Sequence, residues 1–265
     1  MTDLMNRKNL LSISIYILLT YFIVGCTGYQ YVSSPVYVPV NSEKGDLKVD
    51  LAYDKFQAGY ALTNHLSLFV TGFTRLNKGG SRGELFMGKE DSGAKIRSDS
   101  VMEANFGFSY YGKSEALYYE FLLGSGIGKV KYNNRIDYDN DYSFRMITKK
   151  FNLFFQPTFG FKFRNVIELG AFTKFNYTSY YDIKSTVILG ESPDETDKHF
   201  IGKKQADLFF VEPGVFFRVG SKNIKFQSQF FPTLNMIDDK LNYRNFNFYL
   251  SLFINFNIFS SPEKE

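Results

Sequence analysis

The chain has 265 residues, a formal net charge of +4 and a single cysteine, Cys26. That length suits one large β domain or two small ones, and one cysteine excludes an internal disulfide. The charges are mixed in sign, so no nucleic acid or acidic partner is implied. Thirty Phe, nineteen Tyr and only seven Pro, with few long helical patterns, read as all-β.

The first element is a leader. Arg7 and Lys8 precede an uncharged, mostly apolar run from Leu10 to Val24, which ends in Gly25 and Cys26. A basic region, an apolar region and small residues at a cut are the parts of a secretory signal. An uncleaved transmembrane helix remains open, although the run is shorter than the ~20 apolar residues a span needs. So does an ordinary signal with an incidental cysteine. The run Ile23-Val24-Gly25-Cys26 resembles the lipobox of a bacterial lipoprotein signal. That resemblance implies that residues 1–25 are removed and that Cys26 becomes the lipidated first residue. Residues 26–45, with Pro35 and Pro39 among Val and Tyr, read as an extended tether.

From residue 46 to 259 alternating segments follow one another. Weaker ones cover Asp46–Tyr53, Phe56–Leu62 and Leu66–Phe73. Met102 to Tyr110 sets Ala104, Phe106 and Phe108 against Glu103, Asn105 and Ser109. Phe121, Leu123 and Ile127 oppose Glu120, Gly124, Gly126 and Gly128. Phe151, Leu153, Phe155, Phe159, Phe161 and Phe163 share the next face. Ile167 to Tyr177, Phe209 to Val219 and Ile224 to Met236 repeat the pattern. The last run, Asn245 to Ile258, is apolar at every even position, far longer than a usual soluble strand of about five or six residues. These segments predict ten strands. Short joins at Asn64-His65, Gly112–Glu115, Asn165 and Gly220–Asn223 alternate with long polar ones at Arg75–Ser100, Tyr132–Lys150 and Asp182–Gln205, then a shorter one at Asp238–Arg244. Short turns at one end and long loops at the other are the pattern of outer-membrane barrels. The first hairpin, near Asp54-Lys55, breaks it by being short on the long-loop side. Both ends of the barrel fall on the short-turn side, which places a tether and a lipid on Cys26 there too.

Alternation alone also fits a soluble sandwich. Long strands, uncharged apolar faces and tyrosines near strand ends (Tyr110, Tyr111, Tyr118, Tyr119, Tyr177, Tyr180, Tyr181) favour an antiparallel up-and-down β-barrel that closes in lipid, where every backbone polar group must be paired. Nearly the whole chain resembles lipid-anchored outer-membrane β-barrel proteins of Gram-negative bacteria. The lipobox and the aromatic Phe259 closing the last strand carry the likeness. The tail at residues 260–265 departs from it. The resemblance implies outer-membrane lipids and the lipoprotein-processing and barrel-assembly machinery as partners.

The polar face should line the lumen. It carries Lys48, Asp50, Glu103, Glu120, Glu168, Lys174, Glu212, Arg218 and Lys225, expected as a paired charge network, because charges in such an interior must be paired. A narrow ion path is the alternative. Gly124, Gly126 and Gly128 would leave room for large neighbours; they lack the strand-to-helix turn of a phosphate loop. Catalysis is weakly supported. His65 reads as a turn residue. His199, with Asp194, Glu195 and Asp197, could form a general base or a metal cluster but matches no zinc spacing. Asp137, Asp139 and Asp141 lack the glycine and terminal glutamate of an EF-hand loop. The expectation is therefore a barrel lipoprotein that is not an enzyme and has no cofactor, contacting surface ligands or a partner through its loops. Two alternatives stand beside it: a periplasmic soluble barrel with its Phe rows inward around an apolar ligand, and a hydrolase using His199.

Overall fold

A computed structural model describes residues 29–37, 43–77, 95–114, 116–136, 142–163, 166–188, 195–198, 200–237, 241 and 243–257. The strands are β1 Asp46–Leu51, β2 Lys55–Ala61, β3 Leu66–Asn77, β4 Lys95–Lys113, β5 Leu117–Ile136, β6 Tyr142–Phe163, β7 Ile167–Ile188, β8 Gln205–Gly220, β9 Ile224–Pro232, the two-residue β10 Leu234–Asn235 and β11 Phe246–Asn257. Each strand from β1 to β8 pairs antiparallel with the next. β11 then pairs with both β9 and β1, through registers such as Leu252↔Phe226 and Val49↔Ile254. The sheet closes on itself as a ten-stranded antiparallel barrel, with β10 prolonging the ninth staff after a break at Thr233. Closure pairs every strand of the ring with a neighbour on both sides.

The ten strands fall where the alternation predicts them, and the four short turns lie at one end. At the other end the structure departs from expectation. The stretch expected as a loop at Tyr132–Lys150 is largely strand, and strand also enters the one at Asp182–Gln205 as far as Ile188. β5 and β6 stay paired from Ile136↔Tyr142 downwards, and β7 continues to Ile188. A bulge opposite Thr148, with Asp182 at φ 54°, re-aims the β6–β7 hairpin. The reason for the misreading lies in the faces. Below, apolar side chains point outward. Above, the same strands point Val130, Tyr132, Phe144, Met146, Tyr180 and Leu208 inward and fully buried, while Lys129, Lys131, Asn133, Arg145 and Lys149 point outward. Period two persists across the change, but the apolar parity is exchanged, so the pattern read for the membrane-type face stops.

The segment read as a tether also differs. Its described part, residues 29–37, is extended but runs inside the barrel. Gln30, Tyr31, Val32, Ser33, Ser34, Val36 and Tyr37 are all buried. The lumen is too narrow to leave this segment solvated, so the wall must satisfy its backbone. Wall side chains do so at five of its carbonyls. Tyr180 Oη donates to Gln30 O (3.1 Å), Tyr249 Oη to Ser33 O (2.6 Å), Gln57 Nε2 to Pro35 O (3.1 Å), Gln229 Nε2 to Val36 O (2.9 Å) and Gln156 Nε2 to Tyr37 O (2.7 Å). Tyr31 forms a parallel bridge with Tyr243 and stacks on Phe210 at 3.7 Å, and Tyr37 stacks on Phe69 at 4.6 Å.

Candidate functional site

All nine residues expected in the interior charge network line the lumen and are buried: Lys48 and Asp50 on β1, and Glu103, Glu120, Glu168, Lys174, Glu212, Arg218 and Lys225 on later strands. β1, β4, β5, β7, β8 and β9 bring them there because each occupies the inward parity of its strand. Those on the later strands form three groups, with Glu120 apart.

The largest group runs around the wall. Glu168 on β7 accepts from Arg218 (2.9 Å) and Lys225 (2.6 Å), with Lys162 at 4.0 Å. Arg218 Nε donates to Gln227 Oε1 at 2.5 Å, Gln227 Nε2 donates to Asp50 at 2.8 Å, and Lys55 donates to Asp50 at 2.7 Å. The guanidinium also lies 3.9 Å from the Phe253 ring centroid. A second group joins Lys150 to Glu103, which also accepts from Asn105 (2.8 Å); Asn105 in turn bonds Thr71 and Asn152. The third joins Lys174 to Glu212 (3.8 Å) and includes the lumenal segment. Tyr31 Oη donates to Glu212 (3.0 Å) while accepting from Asn176, and Lys174 donates to Ser34 Oγ (3.1 Å). Glu120 accepts from Ser109 Oγ at 2.5 Å, and Ser109 and Ser67 hydroxyls share a bond of 2.6 Å. Buried charges held this way bear their desolvation cost only while each partner stays in place.

Sequence reasoning missed Lys150 and Lys55. Lys150 ends a stretch whose polarity predicts a loop, although its parity with Asn152 and Thr148 marks it as inward. Lys55 sits at the first hairpin, where the pattern is short. The three glycines behave as expected. At Gly124 an added Cβ would lie 2.5 Å from the Phe154 ring and 2.8 Å from Phe69; at Gly126 it would meet Asn105, and at Gly128 it would lie 3.1 Å from Lys150.

The outer surface is the second candidate. Phe106 (64% exposed), Phe108, Leu123, Leu153, Phe159 (55%), Leu169, Phe217, Phe226, Leu250 and Phe256 cover the barrel on every side. On β7 this belt runs from Ile167 to Tyr177. Ten steps of about 3.3 Å on a strand tilted by about 40° come to about 25 Å of height. Of the tyrosines near the strand ends, Tyr110, Tyr119, Tyr177 and Tyr181 face outward, whereas Tyr111, Tyr118 and Tyr180 face the lumen. The soluble alternative with Phe rows around a ligand needs the opposite faces. The rows point out, and the lumen is filled by charged groups, aromatics and residues 30–37.

The long-loop end is capped. Asp197, in a one-turn helix Glu195–Lys198, is fully buried and accepts from Gln30 Nε2 (3.1 Å) and Asn134 Nδ2 (2.8 Å). Phe200 packs beside Tyr180 at 5.9 Å. Asp197 is thus a packing residue, not a solvated partner for a base. At the tip of the first hairpin, burial pushes the Asp54 carboxyl above its ordinary range, opposed by a backbone hydrogen bond and by Lys55, Arg75 and Arg244. His65 sits in the β2–β3 turn, as read, with Nδ1 3.3 Å from Tyr111 O. Ile23, Val24, Gly25, Cys26, Asp137, Asp139, Asp141, Asp194, His199, Phe259 and residues 260–265 lie outside the described residues. Among the described residues no cluster of His, Cys, Asp and Glu could hold a metal. No family model, no curated protein and no solved structure matches the chain.

Proposed function

We propose that this chain is a non-enzymatic outer-membrane β-barrel lipoprotein, acylated at Cys26, that uses its long-loop end to contact a surface ligand or a partner protein. One observation carries the reading: the exchange of faces along single strands. Over the belt the wall is apolar outside, and its inward face carries the buried charges among polar groups and a few aromatics. Above it, β5, β6, β7 and β8 are polar outside and apolar inside. A uniform aqueous solvent favours one arrangement along the whole strand. Two solvents stacked along the barrel axis favour both, each in its own zone. A closed barrel with an apolar belt about 25 Å tall has the dimensions of a bilayer-spanning one. The filled lumen supports a scaffold role over a conducting one.

The chain contains no Trp, so single tryptophans report depth without background. Phe159→Trp and Lys131→Trp, reconstituted in vesicles of brominated phosphatidylcholine, separate the zones. Strong quenching at position 159 with little at 131 supports the reading. Equal, weak quenching at both would exclude a lipid-facing belt.

A further inference from the structure

The two ends of the lumenal segment lie at opposite ends of the barrel. At its C-terminal side the chain leaves by the short turns: Glu43 pairs with Lys113 beside the β4–β5 turn at 3.0 Å, and Lys44 N donates to Asn64 Oδ1 in the β2–β3 turn at 3.1 Å. At its N-terminal side Tyr29 N donates to Asp99 Oδ1 (3.3 Å), and the Arg75 guanidinium lies over the Tyr29 ring at 5.9 Å. Asp99 and Arg75 are at the long-loop end, directly above the level where Thr74 N donates to Asp54 O at the tip of the short first hairpin (2.8 Å). The rim of the barrel is therefore low beside Tyr29.

We propose that residues 30–37 thread the chain through its own barrel, so that the residues before Tyr29 are presented at the long-loop end, opposite to the start of β1. Resting on the function proposed above, this seats the acyl chains of Cys26 in the membrane leaflet on the loop side. Length decides between the leaflets. Asp99 lies three residues beyond Met102, the last apolar outward side chain of β4 among the described residues, which puts Tyr29 about 8 Å past that level at about 3.3 Å per residue and about 40° of tilt. Cys26 precedes Tyr29 by three residues, a reach of at most about 10 Å. That spans the low rim to the near interface. The far interface is more than about 30 Å from Tyr29, given a belt about 25 Å tall. The threaded route is held by carbonyl bonds from β2, β6, β7, β9 and β11, so it is a built passage through the wall's own side chains.

The test uses the full chain in intact cells. A short epitope is inserted between Gly28 and Tyr29, with control epitopes at Gly202 in the β7–β8 loop and at Lys222 in the β8–β9 turn. Antibody labelling is compared before and after permeabilisation. An N-terminal tag that labels together with the Gly202 tag supports threading. One that labels together with the Lys222 tag overturns it. Which control is visible from outside tests the proposed orientation separately. A benzophenone side chain in place of Tyr29 gives a second reading without an insertion. Cross-linking to the peptides holding Arg75 or Asp99 supports the proposal, and cross-linking to Leu62–His65 or to Lys113 contradicts it.

Discussion

Placing a charge on the belt should cost folding energy according to its depth. Phe106 faces outward midway between Met102 and Tyr110 on β4, and both Phe106 (64%) and Met102 (67%) are well exposed. In water, an arginine at either position would change stability by no more than about 0.5 kcal/mol. In a bilayer, an arginine near the midplane costs about 2–4 kcal/mol and one near an interface about 0–1 kcal/mol. Phe106→Arg should therefore destabilise the folded barrel by about 2 kcal/mol more than Met102→Arg, about 30-fold in the folding equilibrium. The assay is urea titration in phosphatidylcholine vesicles, with folded protein read from its heat-dependent mobility on gels. Two equally mild variants would refute the placement of the belt in lipid.

The interior makes its own predictions in the same assay. Glu168→Gln leaves Arg218 and Lys225 buried without their carboxylate and should cost about 3–5 kcal/mol; a loss under 1 kcal/mol would show that water reaches the cluster. Gly126→Ala would place a Cβ 2.6 Å from the Ala104 carbonyl oxygen and against Asn105, whereas Gly72→Ala meets nothing within 4 Å. The first should cost about 1–3 kcal/mol by overpacking, and the second should be within about 0.5 kcal/mol of the parent.

Much of the wall was legible in the sequence because period two is a local property. The rows Phe151 to Phe163 and Ile167 to Tyr177 gave strand, face and register sense at once, and their opposite parity named Glu168, Lys174 and the other lumenal charges. Pairing was less legible. Nothing local says that Lys150 meets Glu103, since that contact depends on register across β4, β5 and β6. The extended hairpins were hidden by the exchange of faces at the belt edge, where Ile127 gives way outward to Lys129 and Lys131. The lumenal path of Gln30 to Tyr37 was hidden for another reason. An extended segment around Pro35 looks the same whether water or a ring of Gln and Tyr side chains satisfies its carbonyls. Only the closed barrel supplies Gln57, Gln156, Gln229, Tyr180 and Tyr249 at the right heights.

Membrane retention of a Cys26→Ala chain tests the central claim most directly. That variant removes the proposed acylation and leaves the barrel unchanged. If the apolar belt spans a bilayer, the folded protein stays with the membrane fraction through alkaline carbonate washing and keeps its heat-dependent gel mobility. Recovery of the folded variant as a freely soluble protein would contradict a membrane-spanning barrel.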